Sequence, residues 1–336
     1  MVLFLEQAVA GLHGVEAAGG YLGAGEGSVV GDNKKTVVVW GPSTEPQPLI
    51  PNDKEIGQDI QYPAEKRGMN KKLNDLLILI RGAGEMATGV AHRLASCRFK
   101  VCMTETSNPQ AVRREVAFSE AVFDLEKEVE GVIAKRVKSQ DEIPEVWRES
   151  KIPILIDPQA SVKKFLNPDV LIDATLAKKN LGTKITDALL VVGLGPGFST
   201  GKDVHLVIET NRGHNLGRII SNGEAEPNTG IPGPIAGYAE ERVIRAPEDG
   251  KFKALKTIGG QVEANEKVGM IGKVEVQSRI AGVIRGLLRD GTEVWKGMKL
   301  GDVDPRGIEA HCYTISDKAR TISGGVLQAI LEHFNG

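Results

Sequence analysis

The spacing of hydrophobic positions changes along this chain. From Leu76 onward, short uninterrupted apolar runs recur: LLILI at 76–80, KVCMTE at 100–105, VEGVIAKRV at 129–137, IPILID at 152–157, VLIDAT at 170–175 and ALLVVGLG at 188–195. Each predicts a buried strand. Between them lie stretches with helical spacing, from about Ala87 to Ser96, AVRREVAFSEA at 111–121, and SQDEIPEVWRESK, whose serine is placed to cap a helix. Continuous apolar strands separated by helices mark a parallel sheet covered on both faces. Residues 69–238 are therefore predicted to form an α/β domain, a Rossmann-like doubly wound parallel sheet.

Beyond about residue 240 the strands shorten and Gly/Asp turns replace the helices. APEDGKFKALKTIGGQVEANEKVGMI and RIAGVIRGLLRDGTEVWKGMKLGDV form a weak internal repeat. Each unit reads as a hairpin around a glycine, a turn and a strand. This pattern resembles the barrel-sandwich hybrid of biotinyl and lipoyl carrier domains, although IGKVEVQSR lacks their Met-Lys-Met. A last segment, 316–334, opens on a serine and repeats apolar residues at Val326, Leu327, Ile330 and Leu331, which predicts a packing helix. The predicted 239–336 unit is thus a β-rich barrel-sandwich-like module with a C-terminal helix. Residues 1–68 are rich in glycine and then in proline, and only TVVVW at 36–40 reads as a strand. They are expected to be a weakly ordered extension before an ordinary start at Met69, with a small capping domain as the alternative.

Composition narrows the function classes. A net charge of −2 gives no global attraction to nucleic acid or anionic membrane, and 4% aromatic content argues against base-stacking platforms. Three cysteines, Cys97, Cys102 and Cys312, have no CxxC spacing and cannot all pair. No apolar run approaches the roughly 18 residues that span a bilayer. These features predict a cytoplasmic protein without nucleic-acid or membrane partners and without a metal site.

Two glycine loops follow apolar strands. In the first, Gly82, Gly84 and Ala87 match G-x-G-x-x-A, and Glu105 ends the second strand, where an acid would take ribose hydroxyls. The reading is a nucleotide-binding turn, or a tight βα turn that binds nothing, and Glu85 within the loop would repel a pyrophosphate. In the second, GLGPGFSTGKD at 193–203, Gly195, Gly197, Ser199, Thr200 and Lys202 offer amide, hydroxyl and ammonium donors to an anion. The alternative is a loop crossing the sheet edge. Residues 207–234 add Arg212, His214 and Arg218 to a segment too rich in Gly and Pro for a plain helix, either a binding loop or one held by its own polar pairs. Cys312, beside His311 and near Lys318 and Arg320, is a candidate nucleophile if those charges lower its pKa, and otherwise a small buried residue.

IRGAGEMATGVAHRL, GLGPGFSTGKDVHLVIETNRGHNLGR, NTGIPGPIAGY and GDVDPRGIEAHCYTISDKARTISGGVLQAIL together resemble the YqeB-type accessory proteins of selenium-dependent molybdenum hydroxylase systems, over the chain from about Met69. The resemblance implies a maturation factor that acts on a xanthine-dehydrogenase-like apoenzyme and binds a nucleotide or a molybdopterin-type ligand. NAD(P) and molybdenum cofactor are the candidate ligands, and an NAD(P)-dependent oxidoreductase or a ligand-free scaffold are the alternatives. Whether any reaction is catalysed, and whether the chain forms a homo-oligomer, stay open.

Overall fold

The computed structural model describes residues 71–335 and, before them, two strands, β1 (Ser28–Val30) and β2 (Val37–Val39), which pair antiparallel. The strand expected at 36–40 is β2. The remainder of the 1–68 expectation, and the start at Met69, lie outside the described residues. The chain divides into two units, Met1–Ile60 and Gln61–Gly336, and the second carries everything that follows.

In chain order the larger unit begins with β3 (Leu77–Arg81), α1 (Glu85–Ser96), β4 (Lys100–Glu105), α2 (Ala121–Asp124), β5 (Glu126–Val129), β6 (Val132–Val137), α3 (Ile143–Arg148) and β7 (Ile152–Ile156). It continues with α4 (Lys163–Leu166), β8 (Val170–Asp173), β9 (Leu190–Leu194), β10 (Leu206–Ile208) and β11 (Ile219–Ile220). These strands form one sheet in the order β11-β10-β9-β8-β3-β4-β7-β6-β5. The seven inner strands are parallel, and β5 and β11 close the edges antiparallel. Both faces of the central strands β3, β8, β9 and β10 are buried, as their unbroken apolar runs require, whereas β6, next to the edge, is only partly covered. Leu79, Cys102, Leu155, Leu171 and Val191 pack with Ile143 and Val146 of α3. The alternate positions Ile78, Ile80, Met103, Ile154, Ile172 and Val192 are equally inaccessible.

Two elements differ from the expectation. VEGVIAKRV is a hairpin, because Glu130 and Gly131 take positive φ and turn the chain between β5 and β6. AVRREVAFSEA forms two 3-10 turns, Arg114–Val116 and Phe118–Glu120, ahead of the short α2. Here tertiary partners take the backbone donors that a helix would use. The Phe118 N–H bonds Thr88 Oγ1 at 2.8 Å, and the Ser119 N–H bonds the Ala83 carbonyl at 2.9 Å. The serine cap read in SQDEIPEVWRESK is present, since the Ser139 hydroxyl accepts from the Asp141 N–H, but a 3-10 turn precedes α3.

The β-rich region comprises β12 (Val243–Arg245), β13 (Gly250–Ala254), β14 (Gln261–Val262), β15 (Lys267–Ile271), β16 (Val274–Gln277), β17 (Gly282–Leu287), β18 (Glu293–Val294) and β19 (Lys299–Asp304). The internal repeat is real at the level of strands. β13, β14 and β15 recur as β17, β18 and β19 at a constant offset of 32 residues, Gly250 to Gly282, Gln261 to Glu293 and Lys267 to Lys299. The short strand of each unit joins the sheet of the other, β14 on β17 and β18 on β13, giving two four-stranded antiparallel sheets. Phe252, Val268, Ile271, Val283, Ile284, Leu287, Leu300 and Cys312 form their common core.

The last helix, α5 (Asp317–Asn335), starts from Ser316, whose hydroxyl accepts from the Ala319 N–H. The sequence assigned this helix to the β-rich module. Instead it packs on α1 and along β9, β10 and β11, so close to α1 that a Cβ on Gly89 would lie 2.8 Å from the Ala319 Cβ. Of the apolar stripe expected of it, Val326 and Ile330 are fully buried there, with Ile322 one turn earlier, while Leu327 and Leu331 are only partly covered. Among the described residues no helix is long and apolar enough to cross a membrane.

His205, between β9 and β10, accepts the Val191 N–H on Nδ1 at 2.9 Å, and burial, with His333 nearby, lowers its pKa to about 4. The folded state thus prefers the neutral ring, while the unfolded chain takes up a proton near its ordinary value of about 6.5. The contribution is whole above pH 6.5 and is lost as pH falls from there through about 4. Denaturant titrations across that window should show a smaller fall in stability for His205→Asn, which keeps an acceptor and does not titrate.

Candidate functional site

The chain leaves β3 through Arg81 and turns sharply into α1. Gly82 permits the turn at φ +96°, and a Cβ there would stand 3.0 Å from the Ala174 carbonyl oxygen. Its N–H bonds the Thr104 carbonyl at 2.8 Å. The next amide, of Ala83, donates to Glu105 Oε2 at 2.8 Å, and the Thr106 N–H donates to Oε1 at 2.7 Å. Glu105 therefore fastens the glycine loop to the end of β4. Gly84 caps α1, and a Cβ there would meet nothing within 4 Å, so the helix begins at open space.

Glu85 takes its place in the first turn of α1 and is not a free charge. Arg113 Nη1 donates to Oε1 at 2.6 Å, and Arg113 Nη2 donates to the carbonyls of His311 and Thr314 at 2.7 and 3.1 Å. Burial alone would raise the Glu85 carboxyl. The Arg113 charge, a Ser316 hydrogen bond and the Arg285 field together outweigh it and hold the group below the ordinary carboxylate range. Arg81 is similarly committed. Its guanidinium donates to the Pro158 and Leu181 carbonyls, to Thr183 Oγ1 and to Asp173 Oδ2. Asp173 also accepts from Thr175 and Thr183, so it braces the crevice from within.

These elements open onto a cavity of about 1260 Å³. It lies beyond the carboxyl ends of β3, β4 and β8, where the order reverses: β4 and β8 flank β3 on opposite sides, the usual ligand crevice of an open α/β sheet. Segments 106–113 and 226–235, strands β12, β17 and β19, and the start of α5 supply the other walls. Nine cationic side chains line it, Arg81, Arg113, Lys178, Arg212, Arg242, Arg245, Arg285, Lys299 and Lys318, against four acids, Glu85, Glu105, Glu226 and Asp302. A chain of net charge −2 has thus gathered positive charge into one cavity.

Of the residues singled out from sequence, Gly82, Gly84, Glu105 and Arg212 line this cavity. Ala87 is buried in the first turn of α1. Arg212 points its fork at Asp317 of α5, with contacts of 2.5 and 3.2 Å. The second glycine loop reaches the cavity only through Pro196; Gly195, Gly197, Ser199, Thr200 and Lys202 do not line it. Its donors are used within the protein, since the Ser199 N–H bonds Asp203 of the same loop and Thr200 Oγ1 ties it to both the N–H and the carbonyl of Gly223. The exposed His214 stays outside the cavity as well. The 207–234 segment is held by its own polar pairs. Glu209 accepts the amides of Thr210, Asn211 and Glu226, while Asn211 and Asn215 donate to the Glu226 carboxylate.

Cys312 requires a correction. It is fully buried in the β-rich core, its Sγ is 3.5 Å from the Ile284 carbonyl, and it does not line the cavity. Burial pushes the thiol up, and the partial offset by the Gly259 backbone, Arg113 and Arg285 does not reverse it. The charges expected to activate it are engaged elsewhere: Arg320 pairs with Glu130, and Lys318 faces the cavity. Among the described residues no group of three or more His, Cys, Asp or Glu could hold a metal ion.

The cations that sequence reasoning missed, Arg81, Arg113 and Arg285, belong to no motif. The available signal was a basic residue ending or interrupting an apolar run, as in LLILIR and VIRGLL.

No family model matches the chain. It is 47% identical over 255 residues to the Escherichia coli (strain K12) protein described as "Uncharacterized protein YqeB". That match supports the YqeB family. It covers 76% of this chain, and the chain spans about half (47%) of the YqeB relative. Among solved structures, product-bound ectoine utilization protein EutE (DoeB) from Ruegeria pomeroyi is 12% identical, with 63% of this chain and 61% of that chain covered at a TM-score of 0.21. An aspartoacylase family protein from Mesorhizobium loti MAFF303099 is 11% identical, with 68% and 84% covered at 0.22. Scores this low assign neither fold nor chemistry.

Two outcomes follow for this site. A thiol-reactive reagent added to the native protein should modify the exposed Cys97 quickly and Cys102 and Cys312 only after denaturation; fast labelling of Cys312 would contradict its burial. Glu105→Ala should lower the unfolding free energy by about 1–3 kcal/mol, because it strips the acceptor from two loop amides. Urea denaturation would measure the loss.

Proposed function

We propose that this chain is an accessory protein that holds an anionic, phosphate-bearing small molecule, a nucleotide or a molybdopterin-type ligand, for maturation of a selenium-dependent molybdenum hydroxylase. The observation that carries the binding part is the excess of cationic side chains around a cavity at the carboxyl end of a parallel sheet. In such a low-dielectric enclosure, several cations stabilise an anion far more than surface charges do. The maturation role rests on the YqeB likeness and on the long motifs that carry it, with a xanthine-dehydrogenase-like apoenzyme as the partner. The sheet is read here as Rossmann-like, with α1 offering its amide end to the ligand. The two exchanged four-stranded sheets are read as a barrel-sandwich hybrid, and without a carrier lysine motif its role is docking.

A dinucleotide fits less well than a shorter phosphorylated ligand. Glu105, which would take the adenosine ribose, already accepts two backbone amides, and Glu85 occupies the first turn of α1. An NAD(P)-dependent oxidoreductase is therefore the second reading. Isothermal titration at low salt should detect molybdopterin cofactor or a mononucleotide more tightly than NAD(P), with affinity falling as salt rises. Tight NADP binding with hydride turnover would favour the second reading, and no binding of any phosphorylated ligand would reject both.

A further inference from the structure

We propose that Arg285 and Lys318 form a subsite for a tetrahedral dianion, an inorganic phosphate or the phosphate of a monoester, on the cavity wall made by β17 and α5. The inference rests on the anion-binding reading above.

Arg285 interrupts the apolar strand β17, between Val283–Ile284 and Leu287, and is only 7% exposed. Among the described residues its guanidinium makes no hydrogen bond, and its buried Nε has no partner. Its ion pair with Asp304 is long, 3.7 Å, while Arg306 holds the same carboxylate at 2.6 and 2.9 Å. A guanidinium carries five donors, and burying them unmet is costly, so such a group on a cavity wall calls for an oxyanion.

Lys318 presents the same problem from a different element. It lies in the first turn of the 19-residue α5, where the helix dipole disfavours a cation, and it lines the cavity half-buried. Its ammonium has no hydrogen bond or ion pair within 4 Å among the described residues. Burial and the neighbouring Arg212 push its amine down, while Glu85 and Glu209 act against that.

The arginines nearby are occupied. Arg113 is spent on Glu85 and on backbone carbonyls, Arg242 on Asp302, and Arg212 on Asp317. Lys178 is exposed, and Lys299 is partly exposed and lies 3.7 Å from Asp302. The buried Arg285 and half-buried Lys318, without a hydrogen-bonded partner, match the two negative charges of a phosphate group, one offering a planar fork and the other a point charge.

The test is calorimetric titration of the full chain with inorganic phosphate, AMP and adenosine, comparing wild type with Arg285→Met and Lys318→Met. Wild type should bind phosphate or AMP and not adenosine, with AMP the tighter if the ligand is a monoester and phosphate its equal if it is the free ion. Each variant should lose about tenfold or more in affinity. Melting temperature is the control: Arg285→Met should melt at or above wild type, because it removes a buried charge lacking a hydrogen-bonded partner. If Arg285→Met does not fold, Lys318→Met and Arg285→Lys carry the comparison. Variants that bind AMP as tightly as wild type would overturn the subsite and leave the anion-binding reading standing. Wild type that binds no phosphorylated compound would overturn both.

Discussion

The Glu85–Arg113 pair is the constraint around which this structure is organised. Glu85 belongs to the first turn of α1, and Arg113 to the segment that leaves the end of β4. Through its second nitrogen, Arg113 also gathers the carbonyls of His311 and Thr314, immediately before α5. Beside it, the Leu287 N–H bonds the Val112 carbonyl, and Arg114 donates to the Leu287 carbonyl. One charged contact thus joins the parallel sheet, the exchanged β-sheets and the final helix at the edge of the cavity. Breaking such a pair strands a carboxylate in a partly dry place, which costs several kcal/mol, whereas keeping it neutralises the residue that would otherwise repel an anion.

Around that junction the chain separates structural charge from available charge. Arg81 with Asp173, Arg242 with Asp302, and Arg289 with Glu120 and Asp124 are pairs or networks that join elements distant in sequence. Arg285 and Lys318 are not satisfied in that way. The same residue types on neighbouring walls therefore do different work, and only their partners reveal which. The repeated β-units contribute to this division. Arg285 lies in the second unit, at the position that Lys253 holds in the first at the 32-residue offset, and Lys253 is exposed to solvent.

Much of the architecture was legible in the sequence. The strands β3, β4, β7, β8 and β9 stood out as unbroken apolar runs, since a strand buried on both faces cannot alternate. The glycine turn into α1 was legible for a similar reason, because Gly82 needs a positive φ. The segment 111–121 was misread as a helix because its apolar spacing suits one, while Thr88 and Ala83, distant in sequence, claim its backbone groups. Cys312 looked activatable because cations neighbour it along the chain, yet in space those cations turn elsewhere and the thiol enters a core.

The sequence by itself determined the periodicities: the strands, the glycine turn, the repeated β-units and the apolar stripe of α5. These are local, because each depends on how a few consecutive residues divide between water and the interior. Tertiary structure alone decided which charges are spent and which remain for a ligand. Ion pairing depends on distances between residues such as Arg81 and Asp173, or Arg113 and Glu85, that no local pattern encodes. It also decided that α5 returns to α1, making the chain's last helix a wall of the cavity that its first glycine turn opens.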